Sequence, residues 1–253
     1  MNSQSAIDLG LSYDLSATDP HCTGHRVDAQ PILIGMVAAT LATQAAFDEA
    51  AQWPVRLRRL VWSRPVVPGR DDGRLAAIRQ GDLLGVDVVP ARAGVPRTRG
   101  FECVVEAVGG PSATAPAGLE PRLLEALLRA GGSAALYQGL ACRGFEHDAL
   151  LRVIDRVHVE ADRIVFSAAA RPVERERGMP LSPILMHAVV CALLSLADFG
   201  DDSAMPVSVA TMDVLRPLHE HAIGVLRLVR RTDDTLVADA QLYDRHGDRK
   251  SVV

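Results

Sequence analysis

Two stretches of this chain are apolar on nearly every face. The first runs from Gly35 to Ala51 and is built from Ala, Met, Val, Leu and Thr, with no charge before Asp48 and Glu49. The second, Pro183 to Asp198, opens with Ser182 as an N-cap and Pro183 at the first helical position. A helix without a polar stripe has to be covered all round, so both predict buried helices. The segments that follow alternate with period two, as half-buried strands do. After the first helix these are Val55–Ser63, Leu83–Ala91 and Phe101–Gly109; after the second they are Pro206–Leu215, Ile223–Arg231 and Thr235–Asp244. Between the two sets, Arg122–Leu128 and Ser133–Gly144 read as short helices. Leu150–Pro172 reads as a hairpin that turns near Ala161 and Asp162.

One plan is therefore stated twice: a buried helix, then three antiparallel strands. The strand after each helix even closes alike, as WSRPVV (Trp62–Val67) and VLRPLH (Val214–His219). The Gly/Pro/Ala/Ser-rich run Gly109–Pro121 reads as a linker. This gives an N-terminal unit of residues 1–109, a linker of 110–121 and a C-terminal unit of 122–253. Sheets wrapped around single central helices, twice over, are an α+β double hotdog.

Composition narrows the classes. The 253 residues suffice for a real core, and 48% hydrophobic with 23% charged residues is ordinary globular usage. A net charge of −4, no long basic run and 4% aromatics argue against nucleic acid. Cys22, Cys103, Cys142 and Cys191 are widely spaced without a CxxC pair, which suits reduced thiols in the cytoplasm. The first residues lack the basic-then-apolar plan of a signal peptide. The most apolar run, Ile184–Ala197, is too short to cross a bilayer. A cytoplasmic protein with no membrane partner is expected.

Several segments then carry a family resemblance that covers essentially the whole chain. His25-Arg-Val-Asp-Ala29-Gln-Pro-Ile-Leu-Ile34-Gly35 occupies an HxxxGxxxxP motif, and LVWSRPVV (Leu60–Val67) follows the strand after the first helix. LACRGFEHDALLRVI (Leu140–Ile154), LSPILMHAVVCAL (Leu181–Leu193) and MPVSVATMDVLRPL (Met205–Leu218) match three further segments. On these the chain resembles the dehydratase domains of modular polyketide synthases, double hotdogs with one site between the halves. The departures are specific. The motif Gly is Ala29 and the motif Pro is Ile34. A YGP triplet becomes His147-Asp148-Ala149, the catalytic Asp becomes His187, and the Gln four residues on becomes Cys191. The resemblance implies His25 and His187 as the catalytic pair, with Ile34, Gly35, His147 and Cys191 around the substrate. It also implies an acyl-carrier-protein-bound polyketide intermediate, a polyketide synthase as the setting, and a homodimer. No cofactor is implied.

In an ordinary dehydratase of this kind the His removes the α-proton of a β-hydroxyacyl thioester and the Asp helps expel the hydroxyl. Here the first group is kept and the second is lost. Neutral imidazole is a fit base near neutral pH, and amides at the start of the helix near Gly35 could take the thioester oxygen. His187, buried near a helix N-terminus, is pushed towards neutrality and is a poor acid. Two reactions tolerate that: a shift of a double bond from α,β to β,γ, and addition of a hydroxyl to an enoyl thioester to close a pyran or furan ring. Relatives that do such chemistry typically lack the Asp, and the pyran-forming ones also tend to lack the motif Pro; here both are missing. True dehydration with His187 in place of Asp, and a carrier-docking relic without activity, are the alternatives.

Other readings are plainer. Alone, His25 would be a loop or capping histidine and His187 a core one. His187 and Cys191 are four apart on one helix, and His21, Cys22 and His25 cluster, but no spacing follows a zinc pattern; no metal is expected. Arg56, Arg58, Arg59, Arg64, Arg97, Arg99 and Arg152 are candidate basic contacts for an acidic carrier protein. Met179, Met186 and Met205 could line an acyl tunnel, and Trp62 reads as packing in a sheet face.

Overall fold

The computed structural model of the chain describes residues 6–16, 18–50, 53–106, 118–171, 173, 176, 178–196, 208–232, 235–247 and 249–252. Its elements, in order, are β1 (Ile7–Leu15), α1 (Pro20–Thr23), β2 (His25–Val27), β3 (Gln30–Pro31), α2 (Met36–Ala50), β4 (Val55–Trp62), β5 (Gly73–Gln80), β6 (Leu83–Pro90) and β7 (Thr98–Glu106). Then come α3 (Pro121–Arg129), α4 (Ala134–Cys142), β8 (Phe145–His147), β9 (Ile154–Val159), β10 (Arg163–Ala169), α5 (Pro183–Ser195), β11 (Ser208–Val214), β12 (His221–Arg231), β13 (Leu236–Tyr243) and β14 (Arg249–Val252).

The two apolar helices are the axis. α2 buries ten of its fifteen residues and α5 ten of its thirteen, so neither has a solvent stripe. Small side chains in α2, chiefly Ala and Thr, allow close approach on all sides, and the two helices pack on each other. Ser182 caps α5 by accepting from the Leu185 amide at 3.4 Å, and Pro183 fills the first position, where a missing N–H costs nothing. Around them runs one antiparallel sheet of eleven strands in the order β1-β5-β6-β7-β4-β11-β14-β13-β12-β10-β9. α2 lies against β4, β1, β6, β7 and β5, and α5 against β12 and β10. The two groups of strands join where β4 pairs with β11, from Val55 opposite Val214 to Val61 opposite Ser208. This is the double-hotdog plan.

Four strands follow each helix where three were expected. β5 escaped the sequence reading because Leu75, Ala76, Ala77 and Ile78 are all buried. A strand covered on both faces does not alternate, and two alanines weaken its strand signature. β1 and β14 were also unread. The linker Gly109–Pro121 lies outside the described residues except for 118–121, and α3 already starts at Pro121. The ends read near Asp198 and Pro206, and Met205, lie outside them too.

A second, three-stranded sheet, β3-β2-β8, sits beside the helices. β2 and β3 are joined by a two-residue turn with Val27 opposite Gln30; Asp28 and Ala29 have φ of 50° and 65°. Positive φ at both central positions marks the tight hairpin turn that matches strand twist. An alanine there bears about 1–2 kcal/mol of steric cost, which explains physically why the related motif carries Gly at this position. Ala29→Gly is expected to stabilise the protein by about 0.5–1 kcal/mol, the steric relief being partly offset by backbone entropy. Thermal unfolding would show this as a raised Tm, and a lowered Tm would contradict the left-handed turn.

Candidate active site

β2 and β8 pair with His25 directly opposite His147. Opposite residues of an antiparallel pair project from the same face, and here the ring centroids are 5.4 Å apart. α5 then delivers His187, its fifth residue, with its ring centroid 4.8 Å from that of His25 and 5.2 Å from that of His147. The Nε2 atoms of His147 and His187 are 3.0 Å apart, and Cys191 Sγ is 3.5 Å from the same His147 nitrogen. His25 Nδ1–H donates to the Ile32 carbonyl at 3.0 Å. Since a carbonyl can only accept, the bond fixes the tautomer of the neutral ring and leaves a lone pair on Nε2. His147 is held by its backbone: Arg152 Nε–H donates to the His147 carbonyl at 2.7 Å.

A cavity of about 360 Å³ opens on these rings. Ile34, Val66, Phe145, Val190 and Leu194 are among its apolar walls, and Trp62, Ser63 and Arg64 also line it. Among the described residues, no carboxyl group does. Of the residues expected at the site, His25, His147, His187, Ile34 and Gly35 all line the cavity, while Cys191 stands behind His147. Trp62, read as a packing residue, is a wall of the site. Its Nε1–H donates to the Gly35 carbonyl at 2.9 Å and its ring meets Phe101 edge-on. A side chain on residue 35 would sit 2.7 Å from that indole nitrogen, so Gly35 is needed for the contact. His187, Val190 and Leu194 recur at helical spacing on one face of α5, a signal available from sequence once the helix is placed. Several arginines read as carrier contacts have internal partners: Arg56 on Asp213, Arg58 on Glu106, Arg97 and Arg99 on Asp87, and Arg64 on Asp71. Met179 and Met186 are buried core residues.

The family model "Polyketide synthase dehydratase N-terminal domain" matches residues 115–249, and the chain belongs to the polyketide synthase dehydratase family. His147, His187 and Cys191 fall inside that stretch and His25 outside it. Among curated protein sequences, none matches the chain. Solved structures do match in fold. The dehydratase domain of RzxB from Pseudomonas fluorescens superimposes with a TM-score of 0.77 at 18% identity, over 95% of this chain and 90% of that one. A dehydratase domain of a mycocerosic acid synthase-like polyketide synthase gives 0.80 at 18% identity, over 98% and 92%. A trans-acyltransferase polyketide synthase enoyl-isomerase gives 0.77 at 15% identity, over 96% of each chain.

Burial sets the charge state of the three site histidines. His147 is pushed down to about 4 by burial, by His25 and by Arg152, while His187, the most enclosed, lies well below the ordinary value and His25 is lowered too. His21, in α1, behaves oppositely. It is fully buried, yet Asp19 (Nδ1 to Oδ1, 3.1 Å) and Glu176 (Nε2 to Oε1, 2.7 Å) outweigh desolvation and raise its pKa. Burial pushes Asp19 up, but bonds from His21 and the Tyr13 hydroxyl outweigh that and hold it below its usual range. The signs separate cleanly. Stability from a raised His21 is complete below its ordinary 6.5 and is lost as pH rises through the folded value. Stability from a depressed Asp19 is complete above 3.8 and is lost as pH falls through the folded value. The pair therefore contributes most between those limits. Asp19→Asn is expected to cost about 1–3 kcal/mol at pH 5 and clearly less at pH 8.5. Chemical unfolding at the two pH values would reveal it; an equal loss at both would mean that His21 does not change its charge between them.

Proposed function

We propose that this chain catalyses proton transfer on an enoyl thioester without expelling hydroxide, most directly the shift of a double bond from α,β to β,γ. The observation that carries the reading is the cavity lining: three imidazoles converge there and, among the described residues, no carboxyl group stands where a dehydratase would use one. His25 acts as the base. Its Nε2 takes a γ-proton from the α,β-enoyl thioester, which leaves a dienolate, and the imidazolium returns that proton to the α-carbon. The products balance with no net gain or loss of atoms, so one nitrogen serves both half-steps.

The dienolate oxygen needs donors. The Val37 and Ala38 amides are taken by the Ile34 and Gly35 carbonyls. The oxyanion role therefore falls to the Gly35 and Met36 amides, at the positive end of α2, where charge developing on oxygen is stabilised. His187, kept neutral by burial, lines the cavity beside His25 and does not act as an acid. Ring closure runs on the same proton traffic: a chain hydroxyl adds to the β-carbon, His25 accepts its proton and passes it to the α-carbon. Ile34 at the motif Pro position, in the cavity wall, favours that second reading. The substrate arrives on an acyl carrier protein within a polyketide synthase, and a homodimer is the working assembly that family membership supports. One of the similar folds is that of a trans-acyltransferase polyketide synthase enoyl-isomerase, in agreement with this chemistry. A docking relic would not need an apolar cavity lined by imidazoles.

With carrier- or pantetheine-bound enoyl and hydroxy-enoyl thioesters, His25→Ala is expected to lower turnover by about 100-fold or more, the usual yield of a positioned base. Full turnover in that variant would refute the role. Mass-neutral products, a shifted alkene or a ring, are expected rather than loss of water. His187→Asp, which restores a carboxyl group, is expected to raise dehydration of a β-hydroxyacyl thioester above the wild-type rate. If the unaltered chain already dehydrates that substrate as fast as its mass-neutral reaction, dehydration is the native chemistry.

A further inference from the structure

We propose that His25, His147 and His187 form a binding site for a divalent first-row transition metal, zinc above all, facing the cavity. One nitrogen from each ring lies within 4.8 Å of the other two, and the His147 and His187 Nε2 atoms are 3.0 Å apart. Zinc held at about 2.1 Å by each nitrogen of a tetrahedral set keeps those nitrogens about 3.4 Å apart. The His147–His187 spacing is within about half an ångström of that value, and the other two spacings are at most 4.8 Å.

The arrangement has further marks of a ligand set. All three histidines are buried, so side-chain order is already in place before an ion enters. His25 donates its Nδ1–H to the Ile32 carbonyl, the outer bond that orients a metal-binding imidazole and leaves Nε2 for the ion. His147 is fixed from behind, through its carbonyl, by Arg152. The ligands come from three separate elements, β2, β8 and α5, so the set cannot collapse by local rotation of one segment. The cavity provides the open fourth position, as three-histidine sites require. An all-imidazole set favours zinc, copper, nickel or cobalt over magnesium or calcium. Neither His21, which is engaged by Asp19 and Glu176, nor Cys22 belongs to the set. Of the His and Cys residues that the sequence brings near one another, His25 and His187 belong to the set, while His21, Cys22 and Cys191 do not, and His147 joins it from a segment that no spacing ties to the others.

A metal on His25 uses the same Nε2 lone pair that the proposed proton transfer needs. Resting on that reading, zinc is expected to inhibit turnover. Binding itself is measured without reference to activity. The full chain, stripped of metal, is titrated with cobalt(II), whose visible d–d bands report tetrahedral nitrogen coordination, and zinc is added to displace it. Expected are one ion per chain, a raised Tm with zinc, and at least about tenfold weaker binding in each of His25→Ala, His147→Ala and His187→Ala. His158→Ala, on β9, is expected to bind as the wild type does. Should a His→Ala variant fail to fold, the His→Gln variant at the same position takes its place. No cobalt bands and no Tm shift in the wild type would overturn the site, as would binding that survives all three substitutions. If zinc binds and turnover rises, the site stands and the free-base role of His25 falls.

Discussion

Everything in this molecule depends on covering two helices that have no polar face. α2 and α5 cannot be solvated on any side, and one sheet curves round both because no shorter arrangement removes so much apolar surface from water. The β4–β11 pairing follows from that demand. Each helix alone would leave its sheet with an open edge, and joining the edges removes both while bringing the helices into contact. The site occupies the place where this wrapping is incomplete, beside the N-terminal turns of the helices, and the small β3-β2-β8 sheet closes it.

That position sets the charge state of the site. A histidine in an apolar interior is held neutral, and three such rings side by side reinforce the effect, since a charge on any one would disfavour a charge on the others. A neutral imidazole cluster is a source of lone pairs rather than of acid. It can move a proton between carbons or hold a soft cation, and it is poorly equipped to release hydroxide. A few residues away, His21 has two carboxylates as partners and is driven the other way. The same residue type thus takes opposite charge states within one short segment, the difference lying in what each ring faces.

The buried helices, the Ser182 cap of α5, the hairpin β9–β10 and most strands were legible in the sequence because period and punctuation express local physics. β5 was not, since burial on both faces erases alternation. His25 and His187 were found from motif position. Trp62 packs in the sheet as expected, against Phe101, but its second role as a wall of the cavity depends on the absence of a side chain at Gly35, twenty-seven residues earlier.

The sequence by itself determined two apolar helices, most of the strands that cover them and a histidine at the mouth of the first, and its family resemblance put His187 where the related domains carry a carboxylate. The family resemblance also put His147 among the residues expected around the substrate, and His147 lines the cavity. Only the tertiary structure decided that His25 and His147 are cross-strand partners and that α5 sets His187 against both. Pairing register and helix docking are long-range properties. They follow from which surfaces cover which, and no spacing along the chain encodes a 3.0 Å approach between residues forty positions apart.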